Sequence, residues 1–147
     1  MDIVRLFLFT TRLLAPLTDD DVDLRYRIVG AIVDVTEDET ERYLLAKIAR
    51  FESNYRADVA DCRVRGALGE VGPWQALPRS AAEREQVCGS LEGAAAVALA
   101  RVRESRRACR HLPVDEQLAV YAAGSCSSLA GRRLSRVRWP RRGETAL

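Results

Sequence analysis

The stretch ETERYLLAKIARFESNY, residues 39–55, decides how this chain is read. Leu44, Ile48 and Phe51 recur at helical spacing, and Leu45 and Ala49 widen them into one apolar stripe. Ahead of them Thr36 is the predicted N-cap, with Glu37, Asp38 and Glu39 at the positive end of the helix. Glu52 then falls in the last turn, beside the stripe and at the negative end of the dipole. Apolar neighbours and a helix C-terminus both disfavour a charged carboxylate. A carboxyl group that keeps its proton near neutral pH is what a general acid requires. The competing reading is a solvated glutamate at a helix end, and only the segments that follow discriminate between the two.

Working outward, residues 18–35 (TDDDVDLRYRIVGAIVDV) predict a helix capped by Thr18 or a neighbouring Asp, with Leu24, Ile28 and Ile32 inward. Residues 1–17 are apolar but interrupted by Arg5 and Arg12. Their uncharged run is far below the ~20 residues of a membrane span. They read as a first helix packed on the core, or as a weak export segment without a clear cleavage site. Residues 56–79 are rich in Gly and Pro and lack helical period, which predicts a loop with a small hairpin-like excursion. Helices resume with the capping box SAAE at 80–83, a long Ala-rich helix opened by Ser90 and reaching 109, and a further helix over 113–124 closed by Gly124. The predicted class is predominantly α, with a short loop or β-hairpin insertion between helices.

The length of 147 residues suits one domain, and 48% hydrophobic with 30% charged residues is an ordinary globular balance. A net charge of +2 does not call for nucleic acid. Nearly all the positive charge is Arg, with Lys47 the lone lysine. Genome composition explains that bias, as does a surface selected for anionic ligands. The Arg-rich tail, residues 132–147, holds only Trp139 among its basic residues and so lacks the aromatic interleaving of nucleic-acid binders. It supports a second hypothesis, a non-catalytic module that binds acidic wall polymer.

Four cysteines in a small domain favour disulfides and an oxidising compartment over zinc, since no CxxC pair exists and His111 lies only two residues after Cys109. Cys88 and Cys109 would sit at opposite ends of a helix ~30 Å long, beyond bridging distance. Of the two remaining connectivities, Cys62–Cys88 with Cys109–Cys126 is preferred because the second pair closes a short helix hairpin.

Three segments in order, IARFESNYRADV, GALGEVGPWQALP and EQLAVYAAG, resemble the motifs of the lytic transglycosylases and goose-type lysozymes. The resemblance covers roughly residues 40–126 and implies a lysozyme-like catalytic domain over 18–131. Its implied activity is cleavage of the β-1,4 bond between N-acetylmuramic acid and N-acetylglucosamine in peptidoglycan. By the same resemblance Glu52 is the catalytic acid/base, and Ser53, Gln75 and Tyr121 are substrate-side partners; Trp74 is a candidate sugar platform or a core residue. The chain departs from the family where GPWQ stands for GLMQ and where Ala122 replaces the Asn of the late motif. A transglycosylase needs no second carboxylate, because the muramic C6 hydroxyl closes a 1,6-anhydro ring. A hydrolase that inverts would want an acid roughly 6.5–9.5 Å away, for which Asp58, Asp61 and Glu70 are candidates. No cofactor and no metal are expected. The chain is expected to act as a monomer on glycan strands, in the periplasm, outside the cell or on a virion, without nucleic acid and without an integral membrane segment.

Overall fold

A computed structural model describes residues 2–12 and 19–126; the predicted tail at 132–147 lies outside them. The helices are α1 (Ile3–Arg12), α2 (Asp19–Val35), α3 (Glu39–Glu52), α4 (Ala57–Ala60), α5 (Ala81–Gly89), α6 (Leu91–Ala108) and α7 (Ala119–Ala123), with a 3-10 turn at Val114–Glu116. The protein is predominantly helical, and no strand occurs among the described residues. No helix there is long and apolar enough to cross a membrane.

α3 is the axis of the fold. Tyr43 through Ala49 are buried without a break, so the helix is enclosed on all sides rather than along a stripe. Even Lys47 is fully buried, its Nζ 3.2 Å from the Tyr43 hydroxyl and 5.3 Å from that ring's centroid. Phe51, expected in the stripe, is instead exposed. Asp38, not Thr36, is the N-cap, accepting from the Glu41 amide. The Thr36 hydroxyl is occupied elsewhere, donating to Glu41 Oε2 at 2.5 Å. Arg103 Nε and Nη2 on α6 close on the same carboxylate at 2.8 and 3.0 Å, tying α3 to α6. That guanidinium, more than the desolvation that opposes it, holds the Glu41 pKa below the ordinary carboxylate value.

α6 packs against α2, α3, α5 and α7. Its buried face, with Ala94, Ala95 and Ala98, is small enough for close approach to the helices it packs against. Ser90 caps it, accepting from the Gly93 amide at 2.9 Å. α1 lies on α2 and α3, with Leu6 fully buried.

Two segments differ from expectation. The hairpin-like insertion contains a one-turn helix, α4, and a single antiparallel bridge, Val71 with Ala76, which closes a four-residue turn. The helix expected over 113–124 is broken at 117–118. There the Ser105 hydroxyl donates to the Gln117 carbonyl at 2.6 Å and accepts the Tyr121 amide at 3.1 Å. A side-chain oxygen thus stands where the i→i−4 bond would run. Gly124 ends α7 at φ +71°, the left-handed conformation that glycine adopts without strain.

The disulfides are Cys62–Cys88 and Cys109–Cys126. The first ties the insertion to α5, and the second ties the end of α6 to the residues after α7. Replacing Cys109 and Cys126 together by Ser opens a loop with 17 residues of sequence separation. It should lower stability by about 3 kcal/mol, measured by denaturant unfolding; an unchanged midpoint would contradict the role given to this bridge.

Candidate functional site

α3 ends at Glu52 because Ser53 turns the chain. The Ser53 amide and hydroxyl both donate to the Ala49 carbonyl, at 3.2 and 2.8 Å, and the hydroxyl accepts the Tyr55 amide. Asn54 and Tyr55 follow in the left-handed region, and the Tyr55 hydroxyl returns to the Ala46 carbonyl at 2.9 Å. The serine hydroxyl is therefore consumed in ending the helix. Buried at 3% exposure, Ser53 does not line the cleft that Glu52 opens onto, and its hydroxyl has no free role of the kind its motif suggested.

Glu52 opens onto a cleft of about 620 Å³. Its far walls are the insertion, through Gly66, Glu70, Gln75 and Leu77, and the end of α7, through Val120 and Tyr121; Arg101 and Glu104 on α6, with Arg79, complete it. The Glu70 carboxylate folds back so that Oε2 accepts the Leu68 amide at 2.9 Å. Glycine at 66 makes room for it: a Cβ there would stand 2.2 Å from Glu70 Oε2 and 3.0 Å from Gln75 Oε1. Gln75 has φ +45° and donates through Nε2 to the Gly72 carbonyl at 3.0 Å. Tyr121 donates from its hydroxyl to the Trp74 carbonyl at 2.6 Å, clamping α7 to the turn that carries Gln75.

Burial pushes the Glu52 carboxyl above its ordinary pKa, and the Glu70 charge adds to the effect. Surface area alone shows Glu52 as exposed, because the cleft is open on one side. The protein around its remaining sides still displaces solvent, and both effects favour the protonated form. Tyr121 is likewise partly accessible by area while its hydroxyl is enclosed. Its pKa is raised by burial first and by Glu52 second, so it stays a donor.

The cleft thus collects Glu52, Glu70, Gln75 and Tyr121 and leaves out the others. Trp74 is 1% exposed, with Nε1 donating to the Leu45 carbonyl at 2.9 Å. It is a core residue, and a sugar cannot stack on it. Asp61 is exposed and paired with Arg63 at 2.9 Å, and Asp58 pairs with Arg56; neither lines the cleft. The sequence reading did not identify Arg79, Arg101 and Glu104. The last two lie three apart on α6, a spacing that marks a common helical face, yet nothing local shows that this face meets the insertion. Among the described residues no group of three or more His, Cys, Asp or Glu is placed to hold a metal ion.

No protein-family model matches this chain, and no curated protein or solved structure matches it either.

Because folding raises the Glu52 pKa above 4.5, the ionised form opposes folding once pH rises through the interval between the unfolded and folded values. Glu52→Gln should therefore raise the melting temperature at neutral pH and give no gain at about pH 4, where both states carry the proton. Thermal unfolding at the two pH values reads this directly. Tyr121→Phe leaves the Trp74 carbonyl without its donor and should cost about 1 kcal/mol, measured by urea unfolding.

Proposed function

We propose that the protein is a peptidoglycan-cleaving glycosidase on a lysozyme-like helical fold, and specifically a lytic transglycosylase. The observation that carries this reading is the placement of Glu52, at the end of an enclosed helix, in one cleft with Gln75 and Tyr121. These residues belong to the three segments whose order resembles that family, and they lie far apart in the chain. The raised pKa of Glu52 suits a general acid.

In this reading Glu52 protonates the glycosidic oxygen between N-acetylmuramic acid and N-acetylglucosamine. The substrate's own N-acetyl group supports the developing cation. Glu52, now a carboxylate, removes the proton of the muramic C6 hydroxyl as it closes the 1,6-anhydro ring. Tyr121 acts as a positioning residue, since its hydroxyl is spent on the Trp74 carbonyl. Gln75 Nε2 gives one of its two hydrogens to the Gly72 carbonyl, leaving the other to donate and Oε1 to accept at the sugar. The two disulfides fit an oxidising compartment such as the periplasm or the exterior.

Glu70 supports a second reading. A second carboxylate on the cleft wall could activate water, and the enzyme would then be a hydrolytic muramidase. Mass spectrometry of digested sacculi separates the two: anhydro-muropeptides mark the transglycosylase, reducing ends the hydrolase. Glu52→Gln should lower activity at least about a thousandfold while the protein stays folded. Unchanged wall binding with no cleavage by either form would leave the binding module instead.

A further inference from the structure

The two disulfides are not equivalent. Cys109 is fully buried at the end of α6, whereas Cys88 is exposed in the last turn of α5. Its partner, Cys62, stands in a stretch with no other hold on the core. None of residues 61–70 is buried, while Ala60 before them and Val71 after them belong to the core cluster. Of the apolar side chains in the stretch, only Cys62 packs against that cluster. Among the described residues its hydrogen bonds and ion pairs run within 57–70. The Val64 amide donates to the Asp58 carbonyl, the Gly66 amide to the Glu70 carbonyl and the Leu68 amide to the Glu70 carboxylate, and Arg63 pairs with Asp61. None reaches α2, α3, α5 or α6. The stretch nevertheless supplies Gly66, Ala67, Leu68 and Glu70 to the cleft onto which Glu52 opens. Apart from the backbone at its two ends, one sulfur–sulfur bond ties this wall to the molecule. Cys62 also has φ +58°, in the left-handed region that disfavours a residue bearing Cβ, so release of the bond lets it relax.

We propose that Cys62–Cys88 is a redox latch. A dithiol reductant opens it before Cys109–Cys126, frees residues 61–70 and dismantles one wall of the cleft while the helical core stays folded. The cleft is then complete only in an oxidising compartment. Loss of cleavage on reduction rests on the glycosidase reading, whereas release of the wall does not. In the first step a thiolate of the reductant attacks the sulfur of the exposed Cys88, forming a mixed disulfide and expelling Cys62 as a thiolate that takes a proton from solvent. Cys88 lies at the negative end of α5, which disfavours a thiolate there, so Cys62 is the better leaving group. The second thiol of the reductant, once deprotonated, attacks the reductant's own sulfur in the mixed disulfide. Cys88 leaves as a thiolate and is protonated in turn, so two electrons and two protons pass from the dithiol to the protein.

Dithiothreitol is the probe. The full chain is equilibrated over a range of its concentrations, trapped with N-ethylmaleimide and mapped by peptide mass spectrometry. Cys62 and Cys88 should be half-labelled at a concentration about tenfold below that for Cys109 and Cys126. Between the two, hydrogen exchange should accelerate at least about tenfold across residues 61–70, where the Val64, Gly66, Leu68 and Gly69 amides lose their partners. Exchange in α3 and α6 should stay unchanged. Cleavage of sacculi by the same sample should fall about tenfold and return on reoxidation. Cys62→Ser combined with Cys88→Ser should reproduce both effects without reductant; should that chain not fold, the titration of the unaltered protein decides alone. Labelling of all four cysteines together, amides in 61–70 that stay protected after reduction, exchange that spreads into α3 and α6, or undiminished cleavage by the reduced protein would overturn the proposal. Absence of cleavage by the oxidised protein would overturn the glycosidase reading instead, with labelling and exchange still deciding the latch.

Discussion

Two carbonyl groups in the middle of α3 organise the molecule. Those of Leu45 and Ala46 lie within the helix and each takes a further hydrogen bond, from the Trp74 indole and the Tyr55 hydroxyl respectively. A carbonyl oxygen has two lone pairs, so a buried helix can accept these bonds without losing its own. The indole brings the insertion against α3 across 29 residues of sequence. The phenol fixes the turn directly after Glu52. Tyr121 then grips the Trp74 carbonyl, and the last helix is carried into place by the same tryptophan. Removal of that indole would disconnect two walls of the cleft, the insertion and α7, from their shared support.

The helical core and the cleft walls are stabilised by different means. α2, α3 and α6 bury large apolar faces on one another. The insertion and α7 are too short to be stable alone, since a single turn of helix or one bridge does not repay the entropy of ordering it. Each is held by a disulfide and by a hydrogen bond to the core, to the Leu45 carbonyl for the insertion and to the Ser105 hydroxyl for α7. The catalytic candidate sits at the junction, on the last residue of the rigid part, facing the covalently restrained part. This arrangement keeps a carboxyl group partly desolvated while leaving one side of it open.

Much of the fold was legible because its signals are local. Ser80 and Ser90 cap helices as their side chains suggest, Gly124 stops α7, and the apolar spacing before Glu52 is helical. Full enclosure of α3 was not legible, since Lys47 reads as a polar face and Phe51 as a buried one, and tertiary packing reverses both. Ser105 interrupts a helix 12 residues away by taking the Gln117 carbonyl, which no local pattern reveals. At the cleft, Glu52, Gln75 and Tyr121 were found through a resemblance in motif order. Ser53 was assigned to the substrate by the same resemblance, and Trp74 was a candidate sugar platform or core residue, but in this chain the backbone takes their polar atoms first. Arg101 escaped notice because its meaning depends on the insertion folding over α6.

Lys47 has a further consequence. It is the sole lysine of the chain, and its amine is shut inside the core beside Tyr43. Reagents that acylate side-chain amines will find none on the folded surface, so lysine-directed cross-linkers and dyes have no side-chain target in the native protein. The same residue becomes a one-site reporter of opening: any label at position 47 records that α3 has been uncovered.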